Sequence, residues 1–160
     1  MMNIKVLCVG KLKEAYWRDA TAEYQKRLNK YCLLQIDDVK EARLSENASP
    51  AEETAAKDEE GRSILKRVKK DDYVIALDIA GKQVDSETLA AQINQLGIDG
   101  KSDVVFVIGG SIGLSSAVLG RADASVSLSD LTFPHQMVRI ILLEQVYRSF
   151  KIIRNETYHK

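Results

Sequence analysis

Apolar residues along this chain fall in short runs separated by amphipathic stretches. Ile4 to Val9 is the first run, closed by Gly10, and it reads as a buried strand with Lys11-Leu12-Lys13 as its exit. From Glu14 to about Tyr31, the residues Tyr16, Ala20, Tyr24 and Leu28 recur at four-residue spacing, which predicts a helix with that stripe turned inward. Leu33 to Val39 reads as a second strand. Ser49-Pro50-Ala51-Glu52 then carries the marks of a helix start: serine to cap, proline in the first turn and glutamate to complete a capping box. That helix is expected to reach about Val68, with Ile64, Leu65 and Val68 as its apolar contacts. Tyr73 to Ile79 is a third strand, turned by Gly81-Lys82. Ser86 to Leu96 is a helix, with Gly97 just past its end. Asp103 to Ile108 is a fourth strand, apolar at every position after Asp103 and therefore covered on both faces. A short helix from Ser115 to Arg121, a fifth strand from Ala124 to Leu128 and a long helix from Pro134 to about Ile153 complete the series. The alternation predicts an α/β fold, a mainly parallel sheet with helices on both faces, in one domain spanning 1–160.

The last helix has little polar face. Met137, Val138, Ile140, Ile141, Leu142, Leu143, Val146, Tyr147, Phe150, Ile152 and Ile153 exceed what a one-sided surface helix needs. One side can cover the sheet while another meets a partner, so a homodimer is expected.

Charge and cysteine content narrow the classes. Lys+Arg and Asp+Glu number 23 each, for a formal net charge of zero. Gripping naked nucleic acid by charge alone is thereby disfavoured, DNA included, although a local basic patch is compatible. Between Lys40 and Glu60 seven acidic residues face three basic ones, which reads as a solvated face. Cys8 and Cys32 show neither a Cys-x-x-Cys pattern nor zinc spacing, so no metal site is expected, and free thiols in strands fit a reducing compartment. No apolar stretch has membrane-spanning length and no signal-peptide core opens the chain. A cytoplasmic protein without a membrane partner is the expectation.

Two strand exits lie close together in sequence. Gly109-Gly110-Ser111-Ile112-Gly113 follows the fourth strand. Glycines there let the backbone approach a ligand, and a plain tight turn explains them equally well. The spacing is not the Gly-x-Gly-x-x-Gly of dinucleotide sites, which speaks against a dinucleotide-dependent oxidoreductase. Leu128-Ser129-Asp130-Leu131-Thr132-Phe133 follows the fifth strand and offers backbone and hydroxyl groups suited to adenine and ribose rather than phosphates; a helix-capping loop accounts for Thr132-Phe133-Pro134 as well. In a parallel sheet such exits form a pocket at the carboxyl ends of the strands. His135 lies in the first turn of the last helix, where the helix dipole favours the neutral imidazole, and Arg139 shares its face. A neutral histidine there can accept a proton or orient a substrate, and a structural histidine is the bland alternative. From Arg139 to Lys160 five cations face two glutamates. Arg148, Lys151, Arg154, Tyr158 and His159 make a basic-aromatic cluster suited to phosphates and bases.

These residues together are similar to the SPOUT class of methyltransferases, and within it to the RlmH (YbeA) family, which methylates a pseudouridine of large-subunit ribosomal RNA. The likeness runs from Val9-Gly10-Lys11-Leu12-Lys13 through Phe106-Val107-Ile108-Gly109-Gly110 and Thr132-Phe133-Pro134-His135-Gln136 to Glu144-Gln145-Val146-Tyr147-Arg148 and Tyr158-His159. The resemblance implies a C-terminal deep trefoil knot, an exception to the rule that chains do not thread loops. It implies that S-adenosyl-L-methionine is held by Leu77, Gly109, Leu128, Ser129, Asp130, Leu131, Thr132 and Phe133. It implies a homodimer across the last helix, in which the tail of one protomer reaches the pocket of the other.

The reaction implied is methylation of ring nitrogen N3 of a pseudouridine in 23S ribosomal RNA. His135 is then the candidate base or orienting group. Arg148 and Arg154 are candidates to stabilise the ring anion or hold phosphate, and Tyr158 and His159 to stack on or hydrogen-bond to the base. With zero net charge and no added RNA-binding domain, the assembled ribosome is the expected substrate rather than naked RNA. A related enzyme acting on transfer RNA and a non-catalytic ribosome- or RNA-binding module are the alternatives.

Overall fold

A computed structural model describes residues 1–160. Five parallel strands, β1 (Met2–Val9), β2 (Cys32–Val39), β3 (Tyr73–Gln83), β4 (Asp103–Ile108) and β5 (Ala124–Ser127), lie in the order β2-β1-β4-β3-β5. Five helices connect them: α1 (Ala15–Leu28), α2 (Pro50–Leu65), α3 (Ser86–Ile98), α4 (Ser116–Arg121) and, after β5, α5 (His135–Ile153). β4 is central, and Val104 to Ile108 are all buried, as an apolar run covered on both faces requires.

The alternation of side chains along each strand divides the core. Ile4, Val6, Cys8, Ile75, Val104, Phe106 and Ile108 point to the face covered by α1, α3 and α5. Leu7, Val9, Val39, Val74, Val105 and Val107 point to the face closed by Ile64 of α2 and Val118 of α4. Helices on both faces of a parallel sheet are thus found as expected.

α5 packs between α1 and α3, and Leu142, Leu143, Val146, Tyr147 and Phe150 are buried there. The rest of its apolar surplus is not covered within one chain: Val138, Ile140, Ile141, Ile152 and Ile153 are partly buried and Met137 is exposed.

Several local expectations are met and several are corrected. Ser49 caps α2 in a reciprocal box with Glu52. In α1 the inward stripe holds at Ala20, Tyr24 and Leu28 and fails at its start, where Tyr16 is 64% exposed and Trp17 and Thr21 turn inward instead. Gly97 lies inside α3, and the left-handed glycine is Gly100, at φ +77°. Of the acidic stretch, Glu60 is buried and accepts from the Ala42 amide at 3.0 Å, while its glutamate neighbours are exposed.

The largest correction is in β3. Gly81-Lys82 does not turn the chain; β3 pairs with β5 through Leu77, shifts register and pairs again from Lys82. Gly81 permits this because a Cβ there would lie 2.8 Å from the Ser125 carbonyl carbon and 2.9 Å from the Val126 nitrogen. The strand is therefore bent where it borders the carboxyl edge of the sheet.

Candidate active site

At that edge the exits of β3, β4 and β5 and the start of α5 enclose a cavity of about 770 Å³. Leu77, Asp78 and Ile79 come from β3, Gly109 to Leu114 from the loop after β4, Leu128, Ser129 and Leu131 to Pro134 from the loop after β5, and His135, Gln136 and Val138 from α5. The position is the one an open parallel sheet provides for ligands. Two close backbone approaches define the walls. A Cβ on Gly109 would lie 2.9 Å from the Gly113 carbonyl carbon, so the two ends of the glycine loop are in contact. Ser129 folds the loop after β5: its hydroxyl accepts from the Leu131 amide at 3.0 Å, and the Ser127 hydroxyl donates to the Ser129 carbonyl at 3.1 Å.

The lining is mostly apolar, with hydroxyls from Ser111, Ser127, Ser129 and Thr132 and one carboxylate, Asp78; no lysine or arginine lines it. Such a wall repels a polyphosphate and accepts a neutral nucleoside or a ligand bearing positive charge. Of the residues carried over as cofactor-binding, Leu77, Gly109, Leu128, Ser129, Leu131, Thr132 and Phe133 line the cavity. Asp130 does not: it is exposed and accepts from Gln83 Nε2 at 2.7 Å, tying the loop to the far end of β3. Asp78 escaped the sequence reading because, in a strand read as ending at Ile79, nothing marked its side chain as facing a ligand. Ser111 to Leu114 stood within a glycine loop that had been singled out, and only Gly109 had been assigned to binding.

His135 lines the cavity and is held from below. Its ring rests on Gly10, where an added Cβ would lie 2.8 Å from Cε1, and Gly10 itself sits at φ +98°. Arg139, one turn along α5 and 2% exposed, donates to the Gly10 carbonyl at 3.2 Å and to Asp38 Oδ1 at 2.9 Å. This ion pair, buried at Arg139 and exposed at Asp38, joins the ends of β1 and β2 to α5. Burial is the first cause holding the His135 imidazole below its ordinary value. Arg139 acts in the same direction, and the nearby carboxylates of Glu41, Asp38 and Glu14 oppose it. The ring is neutral at pH 7, as its place in the helix led us to expect, and desolvation is the main reason.

The other four candidates lie elsewhere in the chain. At 1.5 Å per residue α5 rises about 20 Å between His135 and Arg148, and none of Arg148, Arg154, Tyr158 and His159 lines the cavity of their own protomer. Arg148, Tyr158 and His159 form an ordered cluster. Arg148 donates to Glu144 Oε1 at 2.7 Å and lies over the Tyr158 ring at 4.7 Å, and it is 3.2 Å from Nδ1 of His159. The Tyr158 hydroxyl donates to Glu144 at 3.0 Å, and burial and that bond push its pKa up. The tail is pinned to the helices: Asn155 takes a left-handed φ of 54°, and Glu156 accepts from Tyr31 and Lys151, each at 2.8 Å. Arg154 lies over the Tyr31 ring at 4.8 Å. No group of three or more His, Cys, Asp or Glu comes together at metal-binding distances, and no helix is long and apolar enough to cross a membrane.

The fold is that of an open parallel α/β protein with a small-molecule cavity at the carboxyl ends of its strands. The family model described as a predicted SPOUT methyltransferase matches residues 2–159, and the chain belongs to that family. It is 52% identical over 159 residues to the ribosomal RNA large subunit methyltransferase H of Clostridium novyi, and equally to that of Bifidobacterium adolescentis; each alignment covers 99% of this chain and 100% of the relative. Among solved structures, a probable methylase family protein from Haemophilus influenzae shares the fold, with a TM-score of 0.53 at 14% identity over 98% of this chain and 70% of that one.

Proposed function

We propose that the protein methylates large-subunit ribosomal RNA with S-adenosyl-L-methionine as donor, at ring nitrogen N3 of a pseudouridine. The observation that carries this reading is the full-length similarity to ribosomal RNA large subunit methyltransferases at about half identity, with the cavity's lining suited to the donor. A nucleoside fits beside Leu77, Val126 and Leu128, and Asp78 and the hydroxyls suit its polar and positively charged groups. S-adenosylmethionine, when bound, supplies an electrophilic methyl group. The Gly109 loop and Thr132 to Pro134 would orient the donor and exclude water. Neutral His135 would accept or steer the N3 proton of the imide, which is a poor nucleophile while protonated.

The remote cluster enters through a second copy of the chain. In a homodimer formed across α5, the Arg148–Tyr158–His159 group of one protomer would face the cavity of the other. Arg148 in that group, and Arg154 over Tyr31 nearby in the tail, would then stabilise the ring anion or hold phosphate. Tyr158, kept protonated by burial and Glu144, would act as hydrogen-bond donor or stacking partner and not as base. We further propose that the crossing of the C-terminal chain from β5 at one edge of the sheet to Gly10 near the other threads a trefoil knot around the cavity. A net charge of zero favours a preformed ribosomal surface as substrate over isolated RNA.

Nucleosides from large-subunit RNA of cells with and without this protein test the reading. Mass spectrometry should find one N3-methylated pseudouridine that disappears with the protein; identical nucleoside profiles would refute it. The shared site has its own test. A cavity variant, Gly109→Val, and a tail variant, Tyr158→Ala, should each be inactive alone and regain part of the activity when mixed and refolded together, because one intact site forms in each mixed dimer. No recovery, with both variants folded and dimeric, would contradict a site built from two copies.

A further inference from the structure

The loop leaving β1 carries exposed cations and the first turn of α1 an exposed aromatic ring, and the loop starts beneath His135 of the cavity wall. Gly10, on which His135 rests, runs directly into Lys11-Leu12-Lys13, and Lys11 and Lys13 are both exposed. Arg18, in the first turn of α1, donates to the carbonyls of Leu12 and Lys13 and so fixes the loop. Tyr16 is 64% exposed, with its ring centroid 5.1 Å from that of the partly buried Trp17 and inclined to it by 59°. β2 ends alongside, the Gly10 amide donating to the Val39 carbonyl, which brings exposed Lys40 to the same edge. Glu14, Asp19, Asp37, Asp38 and Glu41 are the acidic residues of these segments, and Asp38 is paired with Arg139, so Lys11 and Lys13 carry the local positive charge of the loop itself.

Tyr16 has no packing role that explains its place. The four-residue spacing offered it to the core, and the helix instead turns it outward. A loop braced by Arg18, two free ammonium groups and a supported aromatic ring combine the elements of single-strand recognition: point charges for phosphates and a platform for a base. An interface between two copies of the chain would avoid exposed lysines at its centre.

Resting on the RNA-methylating reading above, we propose that Lys11, Lys13, Tyr16 and Arg18 form the docking surface for the single-stranded RNA flanking the target nucleotide. Lys11 and Lys13 hold phosphates and Tyr16 stacks a base, and His135 lies next to the point where the strand turns into the cavity.

Binding of the full-length protein to vacant large ribosomal subunits, measured across a salt series, tests this without relying on methyl transfer. Lys11→Ala with Lys13→Ala should weaken binding and reduce the slope of log K against log salt by about 1.4, at ~0.7 for each single-strand phosphate contact. Tyr16→Ala should weaken binding on the order of tenfold with the slope unchanged, and Tyr16→Phe should bind as the parent does. All three variants should keep the parent's molecular mass and its affinity for S-adenosylmethionine. Unchanged subunit affinity in the alanine variants would overturn the proposal, as would a loss of dimer mass, which would make this face a protein–protein contact. If the parent binds subunits with the expected slope yet transfers no methyl group, the catalytic reading fails and the docking surface stands. If the parent does not bind subunits at all, both fall.

Discussion

Gly10 and His135 are in such close contact that Gly10 cannot gain a side chain without moving the ring. A methyl group on Gly10 would meet the imidazole at 2.8 Å and would force an L side chain into a left-handed backbone. Gly10→Ala should cost on the order of 1–3 kcal/mol of stability and displace His135 from the cavity wall. Thermal unfolding and S-adenosylmethionine affinity would register the two effects, and a variant matching the parent in both would contradict the packing. Burial holds the His135 pKa below its ordinary 6.5. Above that value both folded and unfolded chains carry the neutral ring; below it the unfolded chain binds a proton that the folded chain resists. His135 therefore lowers stability as the pH falls below about 6.5. His135→Asn should lose less stability than the parent between pH 7.5 and 5.5, by thermal melts across that window; parallel curves would show that the imidazole is not desolvated. The histidine and its neutral state were legible from its place at a helix start. The Gly10 contact beneath it was not, because the two residues are distant in sequence and no local pattern links them.

Among the elements, β3 controls the cavity most directly. It supplies Leu77, Asp78 and Ile79 and continues past Gly81 along β5. Gly81→Ala would drive a methyl group into the β5 backbone at 2.8 Å and straighten or detach this bend. Weaker S-adenosylmethionine binding, by about tenfold or more, is expected with the rest of the fold retained, since 1.4 kcal/mol of misplacement suffices. Calorimetry on the folded variant checks this; unaltered affinity would mean that the bend does not shape the site. Glycine beside lysine is a sound signal for a turn, and it misled here because close interstrand approach demands glycine for a different reason. The buried strands were legible because continuous apolar runs leave few alternatives. The outward turn of Tyr16 was not, since Tyr16 and Trp17 are adjacent and both satisfy a loose helical stripe.

For the molecule as a whole, the parallel sheet and the place of the cavity follow from the alternation of strands and helices, and most of the cavity's loop residues were visible as two strand exits. The resemblance already placed Arg148, Arg154, Tyr158 and His159 at the pocket of another protomer, and in the fold none of them lines the cavity that His135 lines. Arg148 alone stands about 20 Å along α5 from His135. An account in which both groups act on one substrate therefore brings in a second copy of the chain. Zero net charge favours a large preformed surface where that substrate is RNA. The most direct test is transfer of labelled methyl from S-adenosylmethionine to assembled ribosomes, free large-subunit RNA and transfer RNA, all taken from cells lacking this protein. Label should enter the ribosomes alone and vanish when their pseudouridine is absent; label in transfer RNA, or none anywhere despite measurable donor binding, would contradict the account.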